Sequence, residues 1–130
     1  MDLEKSRTCA FQVNYHLIWA TKYRRKVLVG SVEVRLMEVL KMIAENHGYQ
    51  LLAARVHSGD HLHLFVSAPP KMAIPVMVSV FKCVSAKLLF DEFPEIKLRL
   101  WGGHLWSEGY AVRTAGAVPS WKIEEYINRA

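Results

Sequence analysis

The amino-acid sequence predicts an α+β protein in which an antiparallel sheet is covered on one face by two helices. Three observations support this class. Short segments alternate between apolar and polar residues on both sides of a tight turn, as half-buried strands do. Two longer segments repeat apolar residues at helical spacing. The elements follow the order β-α-β-β-α-β, with one extra strand and a terminal helix, which is typical of such a sandwich.

Composition limits the class of protein before any motif is considered. The 130 residues are 52% hydrophobic and have a formal net charge of +5, which allows an anionic partner without requiring one. We expect a single domain over residues 1–130, large enough for a core of its own. Cys9 and Cys83 lie far apart without a CxxC motif, which indicates neither a disulfide framework nor a zinc knuckle. The charged start and the lack of a long apolar run predict a cytoplasmic protein with no membrane partner.

The chain starts with a predicted strand and a basic loop. Residues Ala10–Ala20 alternate between an apolar face and a second face, which contains Gln12, Asn14, His16 and Ile18. The run Thr21–Lys26 then combines Tyr23 with four cations, Lys22, Arg24, Arg25 and Lys26. Such a run can contact phosphates and stack a base, and it is equally typical of a solvated loop after a strand.

A helix and a hairpin follow. Ser31 is a suitable N-cap and Gly48 a suitable stop, so we expect a helix from Ser31 to His47. The segment Tyr49–Val56 is predicted to be a strand. It pairs, through the turn Ser58-Gly59-Asp60, with a strand that begins at His61.

The second half of the chain completes the sandwich. Pro75 is expected to begin a helix that extends to Phe90. The apolar stripe expected to cover the sheet comprises Val76, Val80, Val84 and Leu88, with Lys82 and Lys87 off it. Further strands are predicted at Ile96–Trp101 and Gly109–Thr114, and Ser120 can cap a final helix. Together the elements predict a ferredoxin-like, RRM-like α+β sandwich.

The strand after the hairpin turn places two imidazoles on one face. Because side chains alternate along a strand, His61, His63 and Phe65 point away from the side that we expect to be buried, which contains Leu62, Leu64 and Val66. The two histidines stand about 7 Å apart, where their nitrogens can converge on one cation. Two ligands are too few for a closed zinc site. The spacing therefore fits either an open metal site completed by water and a substrate phosphate, or simply a polar, exposed strand face.

The presence of a nucleophile would decide between binding and catalysis, and tyrosine is the candidate because no serine or cysteine has an evident base partner. Of the five tyrosines, Tyr15 and Tyr110 fit packing positions. Tyr126 lies between Ile123 and Ile127 at helical spacing, which also fits a packed aromatic residue. Periodicity alone does not identify the nucleophile.

The segment Asp60-His-Leu-His-Leu-Phe-Val66 resembles the His-hydrophobe-His (HUH) motif of the small single-tyrosine transposases, which mobilise insertion sequences as single-stranded DNA. Further segments fall in that family's order and spacing, namely Tyr15–Val27, Lys82, Leu105–Tyr110 and Ile123–Ile127. The resemblance therefore covers nearly the whole chain.

This resemblance implies a chemistry and a set of partners. His61 and His63 would bind a divalent ion, usually Mg²⁺ or Mn²⁺, and Tyr126, on the carboxy-terminal helix, would be the nucleophile. Its attack would leave a 5′-phosphotyrosine and a free 3′-hydroxyl, so that rejoining needs no ATP. The family also implies a homodimer with active sites shared between subunits and single-stranded DNA with hairpin ends as substrate. The expected nucleic-acid contacts are Lys22, Arg24, Arg25, Lys26 and Lys82.

One position departs from the family pattern. Members commonly place a glutamine one helical turn after the tyrosine, as a third metal ligand, whereas this chain has Ala130 there. The methyl group of alanine cannot coordinate a cation. Either the glutamine ligand is replaced by water, by Asp60 or by another side chain, or metal binding is weakened. The alternative function is therefore a catalytically weak or inactive relic that binds single-stranded or hairpin nucleic acid.

Overall fold

A computed structural model describes residues 13–69, 72–100 and 103–114. Its elements are β1 (Val13–Ala20), a 3-10 turn (Lys22–Arg24), α1 (Gly30–His47), β2 (Gln50–His57), β3 (His61–Ala68), α2 (Ile74–Glu92), a short α3 (Pro94–Leu98) and β4 (Ala111–Thr114). The predicted final helix, with Ser120, Tyr126 and Ala130, lies outside the described residues. No helix in the three described ranges is long and apolar enough to span a membrane.

The four strands form one antiparallel sheet in the order β2-β3-β1-β4. Strands β3 and β1, which are distant in the sequence, are therefore neighbours at its centre. Their register pairs His63 with Ile18 and His61 with Ala20. This order confirms the ferredoxin-like α+β sandwich.

The hydrophobic core lies between one face of the sheet and the two long helices. Strand β3 contributes Leu62, Leu64 and Val66, all fully buried, as the alternation predicts. Helix α1 contributes Leu36, Val39, Leu40 and Ile43, which are buried. These side chains belong to a single cluster that also includes residues of α2. The opposite face of the sheet is therefore the one on which His61 and His63 lie.

Helix α1 begins one residue earlier than predicted. Ser31 lies inside the helix and Val29 occupies the N-cap position, without a side-chain hydrogen bond. Gly30 has a φ of +58°, so the chain enters the helix through a left-handed glycine instead of a hydroxyl cap. The predicted end is confirmed, because Gly48 adopts the left-handed cap conformation and its N–H donates to the carbonyl of Ala44.

Helix α2 has Pro75 in its first turn, as expected, but turns a different face to the sheet. Val76 is 58% exposed, and the other members of the predicted stripe, Val80, Val84 and Leu88, are only partly buried against the core, so the most buried stripe is displaced by one position. The buried residues are Met77, Val78, Phe81, Ser85 and Leu89. Helix α2 is apolar over much of its circumference, and apolar spacing alone does not select one face of such a helix.

The predicted strand at Ile96–Trp101 is wrong, because Pro94–Leu98 forms helix α3. Alternating apolar residues at 96, 98 and 100 imitate a strand, but Pro94 and Glu95 provide a helical first turn. Ile96 and Leu100 are 4% and 1% exposed, whereas Leu98 is 84% exposed. The strand predicted at Gly109–Thr114 is confirmed as β4, which begins at Ala111.

Candidate functional site

His61 and His63 lie half-buried on the central strand β3, on the sheet face opposite the core. The pairing of β2 with β3 places His57 across from His61 and Arg55 across from His63. The two histidines share one face of the sheet, as predicted. This face is not exposed throughout, which differs from the expectation. Four residues of this face, Asn14, His16, Phe65 and Ser67, are buried.

The ring of His61 is held by the residue that precedes it. Its Nδ1 lies 2.7 Å from Oδ1 of Asp60. A carboxylate accepts hydrogen bonds, so Nδ1 donates and Nε2 is left as the ring nitrogen that can bind a ligand. Asp60 is buried and comes just before β3, and its carboxylate is directed at the His61 ring.

His63 is held from the neighbouring strand. Its Nδ1 lies 3.2 Å from Nε2 of His16 on β1. The His16 ring stacks in turn on Phe65, with ring centroids 4.3 Å apart and an angle of 12° between the planes. His63 therefore also has Nδ1 engaged within the protein and Nε2 left for a ligand.

Both members of this histidine pair are biased toward the neutral form. Burial is the main reason that the pKa of His16 falls from 6.5 to about 4, and the positive charges of His63 and Arg113 add to the effect. Burial also lowers the pKa of His63, with further contributions from His57, His61 and Arg55. A neutral imidazole has the lone pair that a metal ligand needs.

Two imidazoles with Nε2 available make an open metal site rather than a complete one. In the part of the chain that the structure describes, no group of three or more His, Cys, Asp or Glu side chains is arranged to hold a metal ion. Mg²⁺ and Mn²⁺ prefer oxygen ligands, and Mn²⁺ accepts imidazole more readily than Mg²⁺. The residues therefore fit a cation that takes its remaining ligands from water, phosphate or a further side chain.

The basic loop is fixed beside this strand end. The N–H of Thr21 donates to the carbonyl of Asp60 at 2.9 Å, and its hydroxyl donates to the carbonyl of Arg25 at 2.7 Å. Tyr23 and Arg24 have φ values of +57° and +52°, in a left-handed backbone conformation that residues other than glycine rarely adopt. Arg24, Arg25 and Lys26 are exposed, and Lys22 is half-buried. The fold thus brings the predicted cationic residues and the histidines to the same end of the sheet.

Lys82 makes contacts within the protein. Its Nζ donates to the carbonyls of Ser107 and Gly109 at 3.0 and 2.8 Å. The ammonium also lies 5.8 Å from the centre of a Trp19 ring. Burial lowers its pKa. These bonds connect α2 to the segment that precedes β4, and the expected DNA contact of Lys82 stays a prediction.

Sequence reasoning did not identify His16 and His57 as parts of the site. His16 belongs to the polar face of the alternating first strand. The alternation places His16 on that face but does not indicate that it contacts His63. His57, whose ring centroid lies 6.2 Å from that of His63, precedes the hairpin turn. Tyr126, the predicted nucleophile, lies outside the described residues.

Comparison with known proteins gives a consistent result over nearly the whole chain. Residues 9–130 match the family model described as "Transposase IS200 like". The chain is 39% identical over 127 residues to the ISDra2 transposase TnpA of Deinococcus radiodurans, covering 98% of this chain and 90% of that protein. It is 30% identical over 113 residues to the transposase for insertion sequence element IS200 of Salmonella typhimurium, covering 87% of this chain and 73% of that protein.

Solved structures give the same picture. A Deinococcus radiodurans R1 crystal structure, described as that of a transposase, superposes with a TM-score of 0.81 at 39% identity and covers 98% of this chain and 97% of its own. A REP-associated tyrosine transposase bound to a REP hairpin superposes with a TM-score of 0.59 at 13% identity, covering 97% of this chain and 72% of its own. The second likeness concerns the fold alone.

Proposed function

This chain belongs to the IS200-like transposase family, and we propose that it cleaves and rejoins single-stranded DNA at the ends of an insertion sequence. The observation that most supports this function is the pair His61 and His63 on β3. Both rings are bound at Nδ1 and leave Nε2 for a ligand, beside a loop with exposed cations.

The proposed cofactor is Mn²⁺ or Mg²⁺, bound by Nε2 of His61 and of His63. When bound, the cation would polarise the scissile phosphate and offset the charge that develops on it. The chain's own contribution is to hold both rings in place and to engage Nδ1 of each, through Asp60 for His61 and His16 for His63.

The proposed nucleophile is the phenol of Tyr126. Its oxygen would form a bond to phosphorus while the bond from phosphorus to the 3′-oxygen breaks, and the departing oxygen would take up a proton to become a 3′-hydroxyl. A phenol with a pKa of about 10 is a weak nucleophile at neutral pH, so it needs a polarised phosphate. The 5′-phosphotyrosine retains the phosphodiester energy, and the reverse attack by a 3′-hydroxyl rejoins the strand.

The proposed substrate is single-stranded DNA with hairpin ends, contacted by Lys22, Arg24, Arg25 and Lys26, with Lys82 as a further candidate. The exposed cations suit phosphate contacts, and the exposed ring of Tyr23 suits stacking on a base. The REP-associated tyrosine transposase, which shares the fold, is a protein bound to a hairpin. We further propose a homodimer in which Tyr126 of one subunit completes the histidine site of the other.

Covalent capture tests this function. The wild-type protein is incubated with Mn²⁺ and a single-stranded hairpin oligonucleotide from its own element, labelled at the 3′ end, because a 5′-phosphotyrosine retains the downstream strand. A labelled band on a denaturing protein gel is expected for wild type and for the control Tyr110→Phe. The band should disappear with EDTA, in Tyr126→Phe and in His63→Ala. An adduct formed by Tyr126→Phe would contradict the assigned nucleophile.

Mixing two inactive variants tests the shared active sites. A mixture of Tyr126→Phe and His63→Ala subunits can form a dimer in which one site has both an intact tyrosine and intact histidines, provided these come from different subunits. We expect the mixture to regain the labelled band. Continued absence of the band, with subunit exchange verified by mass, would contradict sharing between subunits.

The alternative function is a binding module that has lost cleavage. It is favoured by Ala130 at the usual glutamine position and by the lack of a third metal-binding group in the described ranges. Tight hairpin binding by wild type without a covalent band would support it. Recovery of the band in Ala130→Gln would then assign the loss to the missing ligand.

A further inference from the structure

We infer that His16 is a positioning residue for the metal site: it accepts a hydrogen bond from Nδ1 of His63 and so fixes the ring and the tautomer of that ligand. This inference deepens the proposed function and rests on it for the metal. The evidence is the contact between two strands that are far apart in the sequence, with His16 Nε2 at 3.2 Å from His63 Nδ1.

A hydrogen bond between two neutral imidazoles contains one proton, and its position decides whether His63 can bind a metal. If His16 donates, His63 must bear its own proton on Nε2, where a cation would have to bind. If His63 donates from Nδ1, its Nε2 lone pair is available. Only the second arrangement is compatible with a metal ligand, and it requires His16 to present an unprotonated Nε2.

His16 is built into the fold in a way that suits an acceptor with fixed geometry. It is 1% exposed, on the central strand β1, and stacks on Phe65 at 4.3 Å. The β1–β3 register places His16 directly opposite Phe65. Phe65 and His63 are two residues apart on β3 and therefore lie next to each other on the same face. The ring therefore has little freedom to rotate away from the Nδ1 that it contacts.

His61 shows the same arrangement with a different acceptor. Its Nδ1 donates to Asp60 at 2.7 Å, and this leaves Nε2 for a ligand. Metal-binding histidines generally donate their second ring nitrogen to a neighbouring acceptor, which fixes the ring and its tautomer. His16 would serve His63 as Asp60 serves His61.

Nuclear magnetic resonance on metal-free protein labelled with ¹⁵N-histidine tests the hydrogen bond directly. Two-bond ¹⁵N–¹H couplings are expected to place the proton of His63 on Nδ1 in the wild type. In His16→Phe, which keeps an aromatic ring against Phe65 but has no nitrogen, that preference should be lost. In His16→Gln, whose amide oxygen can accept near the same place, it should return. His61 is the internal control, because its bond to Asp60 does not depend on residue 16.

Metal affinity gives a second readout. Titration with Mn²⁺, followed by electron paramagnetic resonance, is expected to show a dissociation constant raised about 10- to 100-fold in His16→Phe and largely restored in His16→Gln. Circular dichroism of each variant separates this effect from loss of folding.

The outcomes distinguish this inference from the proposed function. A wild-type His63 protonated on Nε2, or wild-type Mn²⁺ affinity in His16→Phe, would overturn the role of His16. Failure of the wild type to bind Mn²⁺ or to form the DNA adduct would instead contradict the proposed function. The tautomer of His63 tests His16 in either case, since it is measured without metal or DNA.

Discussion

His16 has surroundings that differ from what its place in the sequence indicates. It belongs to the polar face of the alternating strand β1, yet it is buried and its ring stacks on Phe65 of β3. Burial, together with the charges of His63 and Arg113, lowers its pKa to about 4. The folded protein therefore resists protonation of this ring, whereas the unfolded chain does not.

This difference predicts a loss of stability in acid. Unfolded His16 takes up a proton near its ordinary pKa of 6.5, but the folded ring does so only near 4, so the unfolded state binds more protons as the pH falls below 6.5. The lowered pKa of His63 acts in the same direction. We expect His16 alone to reduce the free energy of unfolding by about 2 kcal/mol between pH 7 and pH 5.

Urea denaturation of the metal-free protein at the two pH values measures the effect. His16→Gln, which has no titrating ring at this position, is expected to show a weaker dependence on pH. A wild-type protein whose unfolding free energy does not fall toward pH 5 would contradict the buried neutral state of His16.

At the scale of elements, helix α3 shows how one pattern can fit two structures. Apolar residues at 96, 98 and 100 alternate as in a strand, and 96 and 100 are also one helical turn apart. Pro94 and the burial of Ile96 and Leu100 favour the helix, which leaves Leu98 in solvent.

A pair of alanine substitutions tests this helix. Ile96→Ala should lower the free energy of unfolding by about 2–4 kcal/mol, because it removes a buried side chain. Leu98→Ala should change it by less than about 0.5 kcal/mol, because that side chain is exposed. Thermal or urea denaturation measures both. Equal losses at the two positions would be inconsistent with α3.

Helix α2 is connected to the segment before β4 by Lys82. Its ammonium bonds the carbonyls of Ser107 and Gly109, from which the chain continues directly into the edge strand. The side chain therefore has a structural task whether or not it also contacts DNA.

Lys82→Met should lower the free energy of unfolding by about 1–3 kcal/mol, since two charged hydrogen bonds to the backbone are lost. Hydrogen exchange at Ala111–Thr114 should become faster. Lys87→Met is the matched control, because Lys87 is an exposed cation on the same helix. A similar small effect of both substitutions would show that the Lys82 bonds contribute little.

At the scale of the whole molecule, the fold concentrates cations and imidazoles at one end of the sheet. The backbone bond from Thr21 to Asp60 joins the basic loop to the start of β3, and Lys22 is bonded to Leu105 in the same way. This junction holds the basic loop beside the start of the strand that contains the histidine pair, as the proposed joint contact with single-stranded DNA requires.

The exposed arginines of the loop should supply nonspecific electrostatic affinity. The double variant Arg24→Ala/Arg25→Ala is expected to bind hairpin DNA more weakly and to reduce the slope of log K against log salt concentration by about 1–2 in magnitude. The reason is that fewer counterions are released from the DNA when the protein makes fewer phosphate contacts. Fluorescence anisotropy at several salt concentrations measures both quantities.

Lys41→Ala/Lys87→Ala removes the same number of charges from exposed positions on α1 and α2, and serves as the control. An equal change in slope for the two double variants would indicate that net charge, and not the loop, governs DNA binding.

Local patterns were sufficient for much of this protein. Alternation in Ala10–Ala20 and after Asp60, the turn at Ser58–Asp60 and the helix stop at Gly48 depend on residues close together in the chain, and the structure confirms the elements that they predict among the described residues. The placement of His61 and His63 on one face follows from strand geometry alone.

Packing settled what local patterns left open. Three features depend on partners that are distant in the sequence: which face of α2 meets the sheet, whether residues 94–100 form a strand or a helix, and which residue supports His63. His16 and His63 are 47 residues apart and meet only because β1 pairs with β3. Periodicity reports which side of an element is apolar, whereas the neighbour of a side chain is determined by strand order and register.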